Sequence, residues 1–359
     1  MTAPAREARS RTTSVWRPLV ALGLGASLLV ACGGSDESAG GGGGGGGGGV
    51  DEVTFLNVVP IESLSFAPEM VATCAGFFED NQLDVTFEPT QGSAQAINTV
   101  IAGGALLTRA GDIEMIAALA EQDAPLRNLG DVEKSGAIRI MSSSGAPLEE
   151  PADFEGTLIG LPSVGGTSEK TLDLMLSANG IPRDSVEREV TGLAPGVFDL
   201  VESGRIDGYL VSLDTALILQ AQRDAVAMNP TEFMPAGNQL YVSSTDQIED
   251  PEKADQLTRY IASIAAAIRY IADDQADGFS KTMECIGGDF EVPALEDPES
   301  AVASMEIYVE SWTQGGDDQL LKTDPERWTE TYEAMVDAGM APDGADPAEW
   351  LTDEFAPQS

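Results

Sequence analysis

Segments typical of strands and of helices alternate along residues 53–222, and this alternation limits the possible folds more than any other feature of the chain. Residues 83–88 show the apolar–polar period of two that indicates a strand, and residues 94–101 show the apolar spacing of a helix. The alternation pauses at residues 142–145 and then starts again. Strands that alternate with helices form mainly parallel sheets. The two runs therefore predict an α/β protein of two doubly wound lobes with mainly parallel sheets.

The part of the chain after residue 250 is predicted to be helical. Four Asp-Pro pairs place an acidic N-cap residue before a proline at the first helical position, and they begin at Asp250, Asp297, Asp324 and Asp346. An apolar stripe with helical spacing runs from residue 257 to residue 271. We expect these helices to form a C-terminal extension on the first lobe.

The first 50 residues are typical of a secreted, lipid-anchored protein. A basic segment precedes twelve apolar or small residues (19–30), which as a helix would span about 18 Å, against about 30 Å for the hydrocarbon of a bilayer. We therefore predict a signal peptide over residues 1–31. Residues 29–32, Leu-Val-Ala-Cys, resemble the lipobox of bacterial lipoproteins, which implies that Cys32 carries a lipid; an ordinary signal peptide followed by a chance cysteine is the alternative. Residues 32–50, with ten consecutive glycines, are predicted to be a flexible tether.

Composition excludes several classes of function. The formal net charge is −41, and such a field repels nucleic acids and anionic lipid head groups. The chain has no histidine, which excludes hydrolases of the Ser-His-Asp or Cys-His type and histidine metal sites. We expect no catalytic residue, no metal and no cofactor. Outside the cytoplasm Cys74 and Cys285 can form one disulfide, although two buried thiols are equally compatible with the sequence.

Three stretches carry a resemblance to a known family. They are residues 76–85, the Gln-Gly-Ser of residues 91–93 that opens a helix, and residues 153–167 followed by the Gly-Arg-Ile-Asp-Gly of residues 204–208. Their order resembles the solute-binding proteins of ABC importers, which have the type II periplasmic-binding fold. Within these it is most similar to the group that binds taurine, sulfonates, nitrate and thiamine-pyrimidine precursors.

The resemblance implies both an architecture and a role. The chain would cross between the lobes twice, at residues 141–146 and 238–242. Lobe one would comprise residues 51–142 and 243–359, and lobe two residues 143–242. The role would be that of an extracytoplasmic monomer, anchored to the outer face of the cell membrane only through its lipid. It would capture a small polar, anionic or heteroaromatic solute and present it to an ABC permease and its ATPase.

In open α/β sheets ligands bind at the carboxyl ends of strands, beside helix N-termini. Both predicted lobes have such loops, whose hydroxyls and backbone N–H groups can donate hydrogen bonds. The predicted ligand-binding residues are Phe66, Gln91, Gly92, Ser93, Thr108, Arg109, Ser163, Gly165, Gly166, Thr167, Ser168 and Asp214. Arg109 could bind an anion through two hydrogen bonds, or it could pair with Asp112 or Glu114. For the loops the alternative is a plain turn, for Asp214 a helix cap, and for Phe66 packing within its loop.

Two other functions are compatible with this pattern. The chain could be a ligand-sensing or adhesion lipoprotein with no part in transport. It could also be an enzyme like the pyrimidine-forming synthase to which the group is related, but that family uses a histidine and this chain has none. We therefore expect a binding protein that is not an enzyme.

Overall fold

The computed structural model describes residues 49–58, 61–136 and 138–357. The predicted signal peptide, the predicted lipidation site Cys32 and the tether up to residue 48 lie outside the described residues. The strands are β1 (Asp51–Asn57), β2 (Leu83–Pro89), β3 (Leu107–Gly111), β4 (Leu126–Glu133), β5 (Ile138–Ser143), β6 (Leu158–Leu161), β7 (Glu187–Val190), β8 (Gly208–Ser212), β9 (Ala225–Met228) and β10 (Gln239–Ser244). The helices are α1 (Ala67–Cys74), α2 (Phe77–Asp80), α3 (Ser93–Ile101), α4 (Asp112–Gln122), α5 (Thr167–Ala178), α6 (Phe198–Glu202), α7 (Leu213–Gln222), α8 (Thr245–Glu249), α9 (Pro251–Asp274), α10 (Ser280–Asp289), α11 (Pro298–Trp312) and α12 (Pro325–Asp337).

The strands of the described residues form two five-stranded sheets with the same internal plan. The first sheet has the order β2-β1-β3-β10-β4 and the second has the order β7-β6-β8-β5-β9. In each sheet four strands run in one direction, and the fifth, β10 or β5, is antiparallel to both of its neighbours. The prediction of two lobes with mainly parallel sheets is therefore confirmed.

The chain passes between the two sheets twice, but not at the predicted residues. It leaves the first sheet after Glu133 and enters the second at Ile138, and it returns between Met228 and Gln239. All of β5 pairs within the second sheet and all of β10 within the first, so neither strand is shared between the lobes. The crossings predicted at residues 141–146 and 238–242, with the lobe boundaries based on them, thus shift toward the N-terminus.

The first shift arises because the sequence pattern did not reveal β4. The sequence of β4, Leu-Arg-Asn-Leu-Gly-Asp-Val-Glu, has no period of two, yet almost all of it is buried. Its buried polar side chains are paired internally, since the Asn128 amide donates to Asp131 Oδ1 (3.2 Å) and to Thr323 Oγ1 (2.9 Å). Buried polar groups need such partners. A strand built this way offers no apolar pattern to detect.

The main core of the first lobe packs α1 and α9 against the first sheet. The apolar stripe predicted between residues 257 and 271 is buried there. Phe55 of β1 stacks on Tyr260 of α9, with ring centroids 5.8 Å apart. Cys74 of α1 and Cys285 of α10 form a disulfide with their Cα atoms 5.6 Å apart. The disulfide therefore fixes α10 to the helix that covers the first sheet.

The C-terminal helices begin where the Asp-Pro pairs predict. The carboxylates of Asp250, Asp297 and Asp324 accept backbone N–H groups at the starts of α9, α11 and α12, and Asp346 does so at a short 3-10 turn. These helices contact both lobes, because α11 packs against α7 and α12 packs against both α4 and α5. In the described part of the chain, no helix has the length and apolar character needed to cross a membrane.

Candidate functional site

A cleft between the two lobes contains two connected cavities. The inner cavity, with a volume of about 90 Å³, reaches Glu133, Ile138 and Gln239, which are the strand ends next to the crossings. The outer cavity, about 410 Å³, extends from there past Gln91 and Asp214. The residues that line both cavities are Val58, Ser63, Gly92, Pro162, Ser163, Leu193 and Ser212. Because these residues come from both lobes, a molecule held in the cleft would contact both lobes at once.

The cleft is built from loops at the carboxyl ends of parallel strands, as expected for this class of fold. In the first lobe, β2 leads through Gly92 to the start of α3. In the second lobe, β6 leads through Ser163 to the start of α5, and β8 leads directly into α7 at Ser212. Eight of the twelve predicted ligand-binding residues line the two cavities: Phe66, Gln91, Gly92, Ser93, Ser163, Thr167, Ser168 and Asp214.

One set of contacts between the lobes surrounds Thr167 at the start of α5. The Thr167 hydroxyl donates to Glu114 Oε2 (3.1 Å). Its oxygen, Thr167 Oγ1, also accepts the Gly111 N–H (3.1 Å) and lies 3.1 Å from Ser93 Oγ. The backbones approach closely here, since a Cβ on Gly111 would overlap the Thr167 side chain. Burial raises the pKa of Glu114 to about 7, although the hydroxyls of Ser93 and Thr167 act in the opposite direction.

A second contact between the lobes surrounds Asp214 at the start of α7. Its Oδ1 accepts the Ser63 hydroxyl (3.1 Å) and the Tyr308 hydroxyl (3.2 Å), both from the first lobe. Asp214 makes no capping hydrogen bond to its own helix; the N-cap residue is Ser212, whose hydroxyl donates to the Thr215 hydroxyl. Asp214 therefore joins the lobes at the wall of the outer cavity, and the alternative of a helix cap does not describe its contacts.

Arg109 does not occupy the position that we predicted for it. Its side chain is 1% exposed and forms ion pairs with Glu133 and Glu69, and it donates to Ser65 O (2.7 Å) and Ser65 Oγ (2.8 Å). Its guanidinium carbon lies 4.9 Å from the centroid of the Phe66 ring. The guanidinium is thus committed to protein groups behind the cleft wall. We correct the interpretation of Arg109 as an anion-binding residue: it positions the loop that carries Ser65 and Phe66.

Three other predicted residues lie outside the cavity lining. The Thr108 hydroxyl donates to Leu56 O (2.8 Å) within the first sheet. The Gly165 N–H donates to Glu169 in the first turn of α5, and Gly166 immediately precedes that helix. Gly165 has a φ of +74°, a conformation that favours glycine. These residues shape the walls of the cleft and do not face its interior.

Sequence reasoning missed several residues of the lining. Ser63 and Ser65 lie in the same loop as Phe66, and two hydroxyls just before an aromatic residue could have drawn attention to them. Leu193 and Ser212 carry no signal beyond their place after a strand or at its end. Glu133 was hidden because β4 itself was not predicted. Its Oε1 accepts the Ser65 hydroxyl (2.7 Å), whereas its Oε2 is buried without a hydrogen-bond partner.

The charge of the cleft follows from this lining. Among the described residues that line the two cavities there is no lysine or arginine, whereas Glu62, Glu133 and Asp214 are acidic. Hydroxyl groups provide most of the remaining polar lining, and Val58, Pro162 and other apolar residues form the rest. The described stretch of chain also holds no group of three acidic or cysteine side chains placed to bind a metal ion. The cleft can therefore offer hydrogen bonds and apolar contact, but no opposite charge to an anion.

Comparison with known proteins identifies relatives of the whole body of the chain. A family model described as NMT1/THI5 like matches residues 63–277. The riboflavin-binding protein RibY of Chloroflexus aurantiacus is 24% identical over 313 residues, which cover 83% of this chain and 84% of RibY.

Solved structures give the same picture of the fold. A protein of Bordetella bronchiseptica RB50 superposes with a TM-score of 0.67 at 21% identity, over 85% of this chain and 95% of that one. The alkanesulfonate-binding protein SsuA of Xanthomonas axonopodis pv. citri, bound to MOPS, superposes with a TM-score of 0.61 at 14% identity, over 84% and 98% of the two chains. The predicted two-lobed periplasmic-binding architecture is confirmed.

Proposed function

Because the chain belongs to the NMT1/THI5-like family, we propose that it is a solute-binding protein that closes two lobes on a small molecule. The observation that carries this proposal is the cleft, whose lining comes from strand-end loops of both lobes. A solute that contacts both lobes favours the closed arrangement over an open one. Binding and closure are then one process, and no bond in the solute needs to change.

The lining supports an uncharged solute rather than an anion. A buried anion is opposed by neighbouring negative charge that no cation offsets, and the described lining places the acidic Glu133 and Asp214 beside its hydroxyls without a lysine or arginine. Apolar wall residues such as Leu193 and Ile218 suit the faces of a ring. The outer cavity lies within the usual size range of small-molecule sites, about 300–1,000 Å³. We therefore favour a heteroaromatic or hydroxyl-rich molecule, in line with the name of the relative RibY.

The cellular role in this proposal is that of the capture component of an ABC importer, outside the cytoplasm and anchored through Cys32. The signal-like segment before Cys32 supports secretion, and a disulfide between Cys74 and Cys285 is typical of proteins outside the cytoplasm. In this proposal the protein acts as a monomer, and each copy delivers one solute molecule to the permease. An enzymatic role is not favoured, since the chain has no histidine to act as a general base.

Thermal unfolding in the presence of candidate solutes tests the proposal. The panel contains riboflavin, cytosine and thymine as uncharged heterocycles, and taurine, nitrate and an alkanesulfonate as anionic or zwitterionic solutes. A solute present at about 100 times its Kd stabilises the bound form by about 2.7 kcal/mol, so a true ligand raises Tm measurably. We expect at least one uncharged heterocycle to raise Tm and the anions to have no effect.

A variant at the cleft wall provides the control. Asp214→Asn keeps the size of the side chain but weakens the contacts with Ser63 and Tyr308, so it should reduce the shift produced by the active solute. If only nitrate or sulfonates raised Tm, the assignment to uncharged solutes would be refuted. If no small molecule did so, the solute-binding role itself would fail.

A further inference from the structure

Glu114 is a buried acidic residue outside the cleft, at the point where the two lobes meet. It lies in the first turn of α4 in the first lobe, and its side chain is 5% exposed. Its Oε2 accepts the hydroxyl of Thr167, which opens α5 of the second lobe (3.1 Å). Solute contacts do not require Glu114, because it lines neither cavity.

The second lobe provides part of the surroundings that bury Glu114. Thr167 comes from α5, and α4 packs against α5 along this interface. Movement of α5 away from α4 would replace the Thr167 contact with water. The carboxyl group of Glu114 would then be hydrated in the open arrangement and buried in the closed one.

The charges near Glu114 compensate little for this burial. Lys170 of α5 is the charged residue whose field acts on it, and that field favours the carboxylate. Asp112, on the same helix, is turned toward the Gly237 and Asn238 N–H groups (both 3.0 Å) and is attracted by Arg327 of α12. Hydroxyl groups can accept from a carboxyl group or donate to a carboxylate, so Ser93 and Thr167 can satisfy Glu114 in either state.

We propose that Glu114 is a positioning residue for solute capture, and that closure of the lobes takes up a proton at this residue. The inference rests on the proposed function, because it needs an open and a closed arrangement. A group that binds a proton more tightly in one of two arrangements makes their equilibrium depend on pH. The affinity for the solute would therefore depend on pH even when the solute itself does not titrate.

The direction of the effect follows from the two environments. In the closed arrangement burial raises the pKa of Glu114 to about 7, whereas hydration in the open one returns it toward its ordinary value of 4.5. The extra stability of the closed form is complete below the open-state pKa and is lost as the pH rises through the closed-state pKa. Affinity should thus be higher at pH 6 than at pH 8, by about tenfold if the whole difference is expressed.

The first test measures the Kd of riboflavin, or of whichever panel member raises Tm, by calorimetry from pH 6 to pH 8. The wild type should bind about tenfold more weakly at pH 8 than at pH 6. Glu114→Gln mimics the protonated side chain, so it should bind with the same Kd at both values. The matched control is Glu121→Gln on the exposed end of the same helix, which should keep the wild-type dependence.

A second measurement needs no ligand and separates this inference from the proposed function. Dyes attached through Glu88→Cys in the first lobe and Asp184→Cys in the second, both exposed, report the distance between the lobes by energy transfer. The shorter distance should be more populated at pH 6 than at pH 8, and Glu114→Gln should remove the difference. Equal populations at both pH values, or an unchanged response in Glu114→Gln, would overturn the inference. If no solute bound but the distance followed pH as expected, only the proposed function would fail.

Another buried carboxyl group could titrate in a similar range. Burial raises the pKa of Asp131 to about 6. Its partners Asn128, Thr323 and Asn238 belong to the first lobe and the second crossing, so no residue of the second sheet contacts it through a hydrogen bond. Closure of the lobes should therefore leave the surroundings of Asp131 unchanged, and Asp131 should not contribute to the pH dependence of the distance between the lobes.

Discussion

At the scale of single residues, Arg109 shows how a buried charge can be committed to structure. Sequence reasoning placed this arginine near the cleft. It does lie there, but the side chains of Ser65 and Phe66 separate it from the inner cavity. Sequence reasoning could not show that Glu69 and Glu133, which are 40 and 24 residues away in the sequence, would converge on the guanidinium. Burial raises the pKa of Glu69 even though Arg109 and the Tyr241 hydroxyl oppose the shift. The three charged side chains therefore depend on one another for their burial.

Replacement of Arg109 should destabilise the whole protein. In Arg109→Leu two carboxyl groups remain buried without their cation, and loss of one partner of a buried ion pair costs about 3–5 kcal/mol. We expect urea denaturation to show a free energy of unfolding lower by about this amount. Arg223→Leu is the control, because Arg223 pairs with Asp199 and Glu202 at the surface and should change stability little. Equal effects of the two substitutions would contradict the role given to Arg109.

At the scale of elements, local signals in the sequence predicted helix starts better than they predicted strands. The acidic caps at Asp250, Asp297 and Asp324 are local, since each carboxylate bonds an N–H two or three residues away. The edge strands β4 and β9 depend on distant partners instead. β4 carries buried polar residues, and β9, Ala-Val-Ala-Met, has no alternation of apolar and polar residues. The crossings were therefore misplaced although both lobes were found.

The approach of β3 to α5 gives a prediction at this scale. Gly111 ends β3, and its φ of −80° is open to any residue, so Gly111→Ala adds only a methyl group against Thr167. We expect the variant to bind its solute at least about tenfold more weakly, because the lobes cannot close fully. Its Tm without solute should stay closer to the wild-type value than its Tm with solute does. Gly288→Ala is the control, since a Cβ there meets no atom within 4 Å. Solute binding as tight as in the wild type would show that this contact is not required for closure.

At the scale of the whole molecule, the fold and the position of the cleft could be predicted, but the chemistry of the cleft could not. The alternation of strands and helices fixed two lobes, and the rule of strand ends located loops such as Gly92 and Ser163. The contributions of Ser63, Glu133 and Tyr308 depend on contacts between residues far apart in the sequence, which no local pattern records. The predicted anion site failed for this reason: the sequence shows that Arg109 is present but not which groups neutralise it.

The net charge of −41 also acts at this scale. Repulsion among so many carboxylates opposes the compact state, and added salt screens it. We expect Tm at pH 7.5 to rise by several degrees between 10 mM and 300 mM NaCl. The rise should be smaller at pH 5, where some carboxylates bind protons. A Tm that does not change with salt at pH 7.5 would show that the charges are already balanced locally.

The position of β10 has a consequence for the order in which parts of the chain can fold as it is made. β10 lies between β3 and β4, so the first sheet is incomplete until residues 239–244 have emerged. The second sheet needs only residues 138–228, which form a continuous stretch. A chain that is synthesised from its N-terminus can therefore finish the later lobe first. We expect the earlier lobe to wait with an unpaired strand edge, and so to be the part that quality-control chaperones and proteases encounter.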